Sequence, residues 1–391
     1  MSDATGEYKY GVLGAGRQGT AAAYDLAVRG EAAAIVLADI DGPRAEAAAA
    51  RVNQLAGRAV ATGVALDAGD SRAVLEFLRP LDAAIGAISY KLNLGFTEAA
   101  LQAGTDWCDL GGNTEIVFEQ KKLDGAATAK GLSIIPDCGL APGMVAILAA
   151  EGIRRLDKTE RVRIYVGGLP QNPEPPLNYQ IVYSLEGALD YYTTPSWVLR
   201  GGKPAQVDAL SELETIEFPK PVGPLEAFHT AGGISTLPFK YEGQVDVMEY
   251  KTLRYPGHVA IMRPIRELGL LENSPITVKG QQVVPRDVFI AAVHPKLHKP
   301  QGRDLVALLI KVSGTKGGKK TDVTFRLIDY YDAEHGISAM MRATAYSLSI
   351  TGQMQADGRV TLKGVHTPDE AVPFADYVAG LAARGVVIEE L

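Results

Sequence analysis

A short glycine-rich segment near the N-terminus constrains the fold of this chain more than any other feature. Residues 14–19 read G-A-G-R-Q-G, directly after the β-type run Tyr8–Leu13 and directly before an alanine-rich helical segment. In that setting Gly14 permits a tight turn, Gly16 lets the backbone approach a pyrophosphate, and Gly19 lets the helix pack closely on the strand. The pattern predicts the first strand, turn and helix of a dinucleotide-binding domain.

An aspartate at the end of the second predicted strand completes this motif. Asp39 stands 20 residues after Gly19 and closes the apolar run Ala34–Ala38. A carboxylate in this place accepts hydrogen bonds from the adenosine ribose hydroxyls and repels a 2′-phosphate. The nearest following arginine is Arg44, five residues further along the chain. We therefore expect NAD rather than NADP as the cofactor.

Other residues expected to contact the cofactor flank this motif or follow the ends of further predicted strands, where ligands bind in open α/β sheets. They are Ala15, Arg17, Gln18, Ile40, Asp67, Ser89, Tyr90, Gly111 and Asn113. Two interpretations stay open for Asp67, which follows the third strand region. It could approach the adenine, or it could be the N-cap of a following helix.

Apolar and helical segments alternate regularly over the first ~150 residues, a length typical of one domain, and one of the predicted helices spans Thr114–Lys130. Continuous apolar strands between helices indicate a parallel sheet that is covered on both faces. We predict an α/β fold with a doubly wound Rossmann sheet of about six strands. This domain is assigned to residues 1–140, and residues 340–391 are expected to pack back on it.

The middle of the chain has a different pattern. Two proline-rich segments, 169–176 and 218–224, are followed by two long apolar strands, one ending at Gly314 and one spanning Thr321–Tyr331. The segment T-K-G-G-K-K between these strands reads as a solvated hairpin loop. These features predict a second α/β domain over residues 141–339, with a mixed or antiparallel sheet that covers the substrate and forms a homodimer.

Charge and cysteine content narrow the choice of partners and compartment. The chain has 39 basic and 46 acidic residues, a net charge of −7, which argues against nucleic acid or an anionic membrane as the main partner. Two cysteines, Cys108 and Cys138, point to a reducing compartment. The N-terminal segment lacks the regions of a signal peptide, and no uncharged apolar stretch reaches ~18 residues. We therefore expect a cytoplasmic protein.

The chain carries no sequence motif for a metal ion, whether H-E-x-x-H, C-x-x-C or a calcium-type aspartate loop. His294 and His298 have a spacing that could hold zinc on a helix, but Pro295 and Pro300 favour a loop. We predict no metal site.

Several longer motifs resemble one known family. G-A-G-R-Q-G with Asp39, D-L-G-G-N-T-E-I at 109–116, P-D-C-G-L-A-P-G-M at 136–144 and E-Y-K-T-L-R-Y-P-G-H at 249–258 are similar to the saccharopine dehydrogenase-like family over nearly the whole chain. Within it, the form most resembles the lysine 6-dehydrogenases. Ala141 stands where the resemblance to saccharopine reductases would require a second acidic residue, which weakens that assignment.

This resemblance implies an activity and a substrate. The implied enzyme is an NAD-dependent dehydrogenase that binds a small amino acid and oxidatively removes the ε-amine of L-lysine. The product would be 2-aminoadipate 6-semialdehyde, which cyclises to piperideine-6-carboxylate. One alternative is a reductase of saccharopine or carboxynorspermidine type that joins an amine to an aldehyde. Another is a non-catalytic protein that binds or senses NAD.

Three polar residues at predicted strand ends are candidates for the chemistry itself. Asp137 or Asp109 could bind the substrate ammonium, or act as a base if burial raises its pKa. The alternative for each carboxylate is a helix cap or a turn residue. Tyr90 could hydrogen-bond the reacting centre or form an apolar wall. Cys138 could contact the substrate as a weak acid or simply pack in the core.

Substrate-binding candidates lie in K-T-L-R-Y-P-G-H of the middle domain. Lys251, Arg254 and His258 are three potential cations within eight residues. Arg254 can hold a carboxylate through two parallel hydrogen bonds, and His258 can titrate near neutral pH. The alternative is a solvated charged strand. Tyr183 could line the same pocket.

Overall fold

The computed structural model describes residues 6–391 and divides the chain into two compact units. Of the described residues, the first unit comprises 6–151, 333–337 and 341–388, and the second comprises 152–332, 338–340 and 389–391. Residues 1–5 lie outside the described part, and with them half of the N-terminal segment from which we predicted the absence of a signal peptide.

The first unit is built on a seven-stranded parallel sheet. Its strands are β1 (Tyr8–Leu13), β2 (Ala32–Asp39), β3 (Ala61–Ala65), β4 (Ala83–Gly86), β5 (Asp106–Asp109), β6 (Ser133–Ile135) and β17 (Gly364–Val365). The spatial order is β17-β6-β5-β4-β1-β2-β3, which reverses direction at the neighbours β1 and β4. This is the predicted doubly wound Rossmann sheet, and β17 adds a seventh strand that the sequence pattern did not indicate.

Helices accompany these strands. They are α1 (Arg17–Arg29), α2 (Gly42–Ala56), α3 (Ser71–Leu78), α4 (Asn93–Ala103), α5 (Thr114–Lys121), α6 (Asp124–Ala129), α7 (Met144–Arg154), α12 (Ala339–Ala356), α13 (Pro368–Ala371) and α14 (Phe374–Ala382), with a 3₁₀ turn at Tyr90–Leu92. The last turn of α7 and the first two residues of α12 belong to the second unit.

One helix predicted for the first unit is in fact two. Instead of a single helix over 114–130, α5 ends at Lys121 and α6 begins at Asp124. The backbone N–H of Leu123 donates to Gln120 O at 2.9 Å, which is a tighter i→i−3 contact than α-helical bonding. The resulting turn packs Leu123 against the core cluster that contains Trp107, so tertiary packing overrides the helical pattern at this point.

The second unit contains a nine-stranded mixed sheet. Its strands are β7 (Lys158–Pro170), β8 (Ser196–Arg200), β9 (Lys203–Val207), β10 (Glu214–Glu217), β11 (Pro224–His229), β12 (Val247–Arg254), β15 (Asp304–Lys316), β16 (Lys319–Tyr330) and β18 (Glu389–Glu390). β7 and β12 are parallel neighbours, whereas the other pairings are antiparallel. The predicted α/β unit with a mixed sheet is therefore confirmed.

The remaining elements of the second unit are four helices and a small hairpin. They are α8 (Leu185–Thr193), α9 (Leu237–Lys240), α10 (His258–Glu267), α11 (Pro285–Leu297), β13 (Ile276–Val278) and β14 (Gln281–Val283). None of the helices in the described part of the chain is long and apolar enough to cross a bilayer.

The predicted hairpin between the two long strands is confirmed, with a shorter connection than expected, and the predicted loop at Pro295 is wrong. The connection between β15 and β16 is a two-residue turn, because Gly317 and Gly318 adopt φ of +56° and +74°, and glycine does so without steric cost. The segment around Pro295 is helical rather than a loop. Pro295 lies in the last turn of α11, near the helix end, where the loss of its N–H disturbs little of the helix.

Candidate functional site

A cleft of about 490 Å³ lies in the first unit, beyond the carboxyl ends of β1 to β4. Six of the residues predicted to contact the cofactor line it: Gly14, Gly16, Asp39, Ile40, Asp67 and Ser89. Ligands of open α/β sheets bind at this edge, next to the point where the strand order reverses. The cleft therefore has the position expected of a dinucleotide site.

Each of the three glycines of the turn is suited to its position for a different structural reason. Gly14 adopts φ of +94°, and a Cβ at Gly19 would lie 1.7 Å from Gly14 O. A Cβ at Gly16 would meet nothing within 4 Å, so this glycine faces the open cleft. Arg17 begins α1 directly after it, which leaves the first N–H groups of the helix available to an anion. This geometry fits a pyrophosphate.

Asp39 is fixed by backbone donors. Its Oδ2 accepts from Ala15 N at 2.9 Å and its Oδ1 from Asp41 N at 3.0 Å. Arg44 Nη1 lies 3.9 Å from Asp39 Oδ1, and Arg44 Nη2 lies 3.4 Å from Asp41 Oδ2. Arg44 is closer to the cofactor cleft than its place in the sequence led us to expect, because the N-cap turn at Asp41 brings it back into the cleft lining.

The other residues predicted to contact the cofactor do not line this cleft. Gln18 is half-buried in the first turn of α1, and Tyr90 is half-buried at the start of the 3₁₀ turn. The N-cap of α3 is Asp70, which accepts from the N–H of Arg72 and Ala73. The capping interpretation of Asp67 is therefore wrong, and Asp67 remains as a residue of the cleft wall.

Asp109 is a buried carboxylate that is saturated with donors. Its Oδ1 accepts from Asn93 Nδ2 at 2.7 Å and Gly111 N at 2.8 Å, and its Oδ2 accepts from Gln120 Nε2 at 2.8 Å and Trp107 Nε1 at 3.2 Å. Burial raises its pKa to about 6 against the opposing effect of these hydrogen bonds. A carboxylate held by four donors is suited to fixing the loop after β5 rather than to receiving a proton.

The loops after β5 and β6 meet at Asp137, as expected for neighbouring strand ends. Asp137 is 2 % exposed, adopts φ of +65° and accepts from Gly112 N at 3.4 Å. A Cβ at Gly111 would lie 1.7 Å from Asp137 Oδ1, so this contact requires glycine at 111. Asn113 is the N-cap of α5 and accepts from Ile116 N.

Cys138, in the first unit, is too deeply buried to contact a substrate. The residue is 1 % exposed, and its thiol donates to the carbonyl of Ile135 at 3.1 Å. Burial, with nearby Cys108 as a second cause, raises the pKa of Cys138 well above its usual value. The prediction of a substrate contact is wrong, because the thiol is turned into the backbone of the sheet.

The second unit holds a buried guanidinium in an aromatic cage. Arg254, at the end of β12, is 2 % exposed. Its Nε donates to Tyr192 OH at 3.2 Å, its Nη1 donates to Leu253 O at 2.8 Å, and its Cζ lies 4.8 Å from the ring centroid of Tyr179. Within residues 6–391 no carboxylate lies within 4 Å of this guanidinium. A buried cation without an anion is costly, so the cage is suited to binding an anionic group.

Tyr183 and His258 belong to the same cage. Burial raises the pKa of Tyr183, and the charge of nearby Arg254 opposes this shift. His258 Nε2 lies 3.0 Å from Tyr192 OH and its Nδ1 lies 3.2 Å from Leu177 O. Burial, with the charge of Arg254 as a second cause, lowers the pKa of His258 to about 3. The prediction that His258 titrates near neutral pH is therefore wrong, and the ring is neutral.

Lys251 lies on the opposite face of the sheet from Arg254. Successive side chains of a strand alternate between faces, so positions 251 and 254 of β12 point apart. Lys251 Nζ donates to Glu212 O and to Glu214 Oε1, both at 2.7 Å. The prediction that Lys251 shares a binding site with Arg254 is wrong for this geometric reason.

The face that carries Lys251 also holds a group with the composition of a metal site. Ligand atoms of Glu212, His229 and Glu249 lie within 4.8 Å of one another. However, Arg200 Nη2 lies 2.9 Å from Glu212 Oε2 and 2.8 Å from Glu249 Oε2. Because the guanidinium of Arg200 already contacts both carboxylates, the group is better explained as an ion-pair network than as a metal centre.

A second cleft, of about 810 Å³, borders the aromatic cage within the second unit. Tyr179 belongs to its wall, together with Gln180, Lys299 and Arg303. Gln180 is 7 % exposed, and Arg303 Cζ lies 5.7 Å from the ring centroid of Tyr331. Charged and amide side chains stand in its wall beside apolar ones, and the cleft is large enough for an amino acid.

Sequence reasoning missed Tyr192, although it named Tyr183 for the same pocket. Tyr192 lies on α8, 62 positions before Arg254, and no local motif marks it. The signal that existed was weak: several tyrosines occur close together at 179, 183, 191 and 192.

The glycine turn, Asp39 and the cleft beside them define an oxidoreductase-type dinucleotide-binding unit, and the comparisons with known proteins agree. The model of the "Saccharopine dehydrogenase NADP binding domain" matches residues 11–135, and that of the "Saccharopine dehydrogenase C-terminal domain" matches residues 139–386. The chain therefore belongs to the saccharopine dehydrogenase family, and it is an oxidoreductase with a nicotinamide dinucleotide cofactor. The resemblance read from the motifs is confirmed at this level.

Individual relatives are distant. Saccharopine dehydrogenase [NADP(+), L-glutamate-forming] of Schizosaccharomyces pombe is 21 % identical over 402 aligned positions, covering 84 % of this chain and 88 % of that one. Mitochondrial alpha-aminoadipic semialdehyde synthase of Mus musculus is 22 % identical, covering 83 % of this chain and 42 % of its own length. The structure of apo saccharopine dehydrogenase (L-Glu forming) from Saccharomyces cerevisiae has a TM-score of 0.79 at 19 % identity, covering 98 % and 99 %. The similarity to the Saccharomyces cerevisiae structure shows a shared fold and nothing further.

Proposed function

We propose that this protein is an NAD-dependent amino acid dehydrogenase that oxidatively removes the ε-amine of L-lysine. The observation that most supports an amino acid substrate is the buried guanidinium of Arg254. This guanidinium has no carboxylate partner among the described residues. Family membership supports an oxidoreductase that acts on an amine group. The segment P-D-C-G-L-A-P-G-M, with Ala141, supports lysine over saccharopine.

The residues of this chain would divide the work as follows. Arg254 holds the α-carboxylate through charge-assisted hydrogen bonds. Asp137 accepts the proton of the ε-ammonium, because it is a buried carboxylate at a strand end beside the cofactor edge of the sheet. Asp109 holds the loop after β5 in place through its four donors. Tyr90 remains a candidate for a hydrogen bond to the reacting centre.

The reaction balances with the cofactor as hydride acceptor. The carbon that bears the ε-nitrogen loses a hydride, and the nitrogen loses a proton to a base. Water then adds to the resulting iminium carbon, and ammonia leaves as the aldehyde forms. The protein must therefore hold the substrate firmly, exclude competing water during hydride loss and supply one base.

NAD is the proposed cofactor, for an electrostatic reason. Asp39 and Asp41 are two carboxylates close to the expected ribose position, and Arg44 is one cation shared between them. The net charge of this group is −1, which disfavours a 2′-phosphate. Two observations favour NADP instead. The matching family model describes an NADP binding domain, and the name of the Schizosaccharomyces pombe relative contains NADP(+).

A spectrophotometric screen tests the proposal. The purified protein is given NAD or NADP with a panel of free amino acids, and formation of the reduced cofactor is followed by absorbance. We expect turnover with L-lysine and NAD. Turnover with another amino acid but not with lysine would reject the substrate, and silence with tight NAD binding would favour a non-catalytic NAD-binding protein.

A second candidate is a reductase that joins an amino acid to an aldehyde, in the manner of saccharopine formation. The names of the relatives from Schizosaccharomyces pombe and Saccharomyces cerevisiae favour it. In the same screen this candidate predicts consumption of the reduced cofactor when 2-aminoadipate semialdehyde and L-glutamate are supplied together. It predicts no turnover with lysine and NAD.

Two further expectations from the sequence remain predictions. The homodimer is tested by size-exclusion chromatography with light scattering, where we expect about twice the mass of 41.6 kDa. The cytoplasmic location is tested by fractionation of the producing cells.

A further inference from the structure

A chain of three hydrogen bonds runs through the aromatic cage of the second unit. Arg254 Nε and Tyr192 OH are 3.2 Å apart, Tyr192 OH and His258 Nε2 are 3.0 Å apart, and His258 Nδ1 and Leu177 O are 3.2 Å apart. All four residues are at least nine-tenths buried. Because water is largely excluded, each group depends on its neighbour in the chain.

Only one placement of the protons satisfies all three hydrogen bonds. A guanidinium N–H can only donate, so the Tyr192 oxygen accepts from Arg254. The single hydroxyl proton of Tyr192 is then donated to His258 Nε2, which must be unprotonated. The remaining ring proton lies on Nδ1 and is donated to Leu177 O. The neutral state of His258 is the state that this chain requires.

Packing fixes the imidazole ring itself. The His258 ring is stacked on Phe228 with centroids 6.2 Å apart, and it meets the edges of Tyr179 at 5.7 Å and Tyr192 at 5.8 Å. A ring held on three sides cannot rotate away from Tyr192 without disturbing the cage. The Tyr192 hydroxyl is therefore a fixed acceptor for Arg254.

We propose that Tyr192 and His258 are positioning residues, which hold the guanidinium of Arg254 in one orientation for a substrate carboxylate. This inference rests on the proposed function of Arg254. Of its five N–H donors, one is used by Tyr192 and one by Leu253 O, which leaves three for a ligand, two of them on Nη2. A flexible arginine would lose rotamer freedom on binding, and the hydrogen-bond chain removes that freedom beforehand.

The first test is a matched pair of hydroxyl deletions. Tyr192→Phe keeps the ring that packs on Phe228 and removes the acceptor of Arg254. We expect KM for the amino acid to rise roughly 5–20-fold, with kcat and KM for the cofactor within about twofold, since one charge-assisted bond is lost. Tyr255→Phe is the control: its hydroxyl donates to Pro170 O at 3.0 Å and does not contact Arg254. Its KM should stay at the wild-type value.

The second test uses His258, where a conservative variant can restore the chain. The amide of His258→Gln can accept from Tyr192 and donate to Leu177, whereas His258→Phe can do neither. We expect the glutamine variant to stay within about threefold of wild-type KM and the phenylalanine variant to resemble Tyr192→Phe. Equal KM values for the two variants would contradict a positioning role. This pair also keeps the proposal testable if Tyr192→Phe does not fold.

A double mutant separates this proposal from the proposed function. If Tyr192 acts through Arg254, then Tyr192→Phe should have no further effect on KM once Arg254→Ala is present. An effect of unchanged size in that background would overturn the positioning role while leaving the role of Arg254 intact. Unchanged KM in Arg254→Ala alone would instead reject the carboxylate role of Arg254, and the positioning role with it.

Discussion

The cleft of the first unit and the cage of the second are built in opposite ways. In the cleft, the glycine turn Gly14–Gly19 and Asp39 lie within 26 residues of sequence, and the other lining residues, such as Asp67 and Ser89, follow the ends of further strands. The cage joins Arg254 to Tyr192, 62 positions away, and His258 to Leu177, 81 positions away. The first type of site has a readable local pattern, because backbone geometry imposes it. The second depends on which side chains the sheet and helices bring together.

The largest effect is expected at the carboxylates of the first unit. Asp137→Asn should lower kcat by ~10²–10⁴ because the proposed base is lost. The fold and NAD affinity should persist, since asparagine tolerates the φ of +65° at this position. Steady-state kinetics and NAD titration measure both quantities. Nearly full turnover would mean that Asp137 is a turn residue.

Asp109→Asn is the matched variant for that experiment. The amide nitrogen of asparagine would face N–H donors that now surround the carboxylate, so we expect a loss of ~2–3 kcal/mol in the free energy of unfolding. Denaturant unfolding with a folded-state check by circular dichroism measures this loss. A stable Asp109→Asn variant with abolished turnover would exchange the roles of Asp109 and Asp137.

The next largest effect is expected from a comparison of two variants on opposite faces of the second sheet. Arg254→Ala should raise KM for the amino acid by about 30–100-fold, equivalent to ~2–3 kcal/mol, and leave NAD binding near normal. Lys251→Ala, three positions away but on the opposite face, should leave KM within about twofold. If both variants raised KM equally, the assignment of the substrate site to one face would be wrong.

A pH effect should distinguish the cage from a solvated site. The pKa of His258 is lowered from 6.5 to about 3, so between these values the folded protein binds fewer protons than the unfolded chain. Stability is therefore lost as pH falls below 6.5, by about 1.4 kcal/mol per pH unit from this residue. His258→Gln lacks this contribution. The difference in free energy of unfolding between wild type and His258→Gln should shrink by ~2 kcal/mol between pH 6.5 and 5. A constant difference would show that His258 is not buried as a neutral ring.

The smallest effect is expected in the choice of cofactor. Asp39→Ala should reduce the ratio of kcat/KM for NAD to that for NADP by about 10-fold, because one carboxylate hydrogen bond and one repulsive charge are lost together. Arg44→Ala should change the ratio in the other direction by removing a cation. A wild-type protein that prefers NADP would reverse this interpretation of Asp39.

Local chemistry allowed much of the first unit to be predicted. The glycine turn and the apolar strands identified the Rossmann sheet, because each follows from backbone geometry and burial within a few residues. The interpretation failed at contacts that the local sequence pattern does not show. Examples are the break at Leu123, which packs against the Trp107 cluster, and the return of Arg44 to Asp39.

The sequence alone determined the dinucleotide-binding fold and the family resemblance, and it named Arg254 as a candidate for substrate binding. The tertiary structure decided which neighbours each charged residue has. It put Lys251 on the far side of the sheet, surrounded Asp109 with four donors and enclosed Arg254 with tyrosines from distant elements. The physical reason is that a turn is specified by the conformational preferences of adjacent residues, whereas the environment of a buried charge is the sum of contacts between residues far apart in the chain.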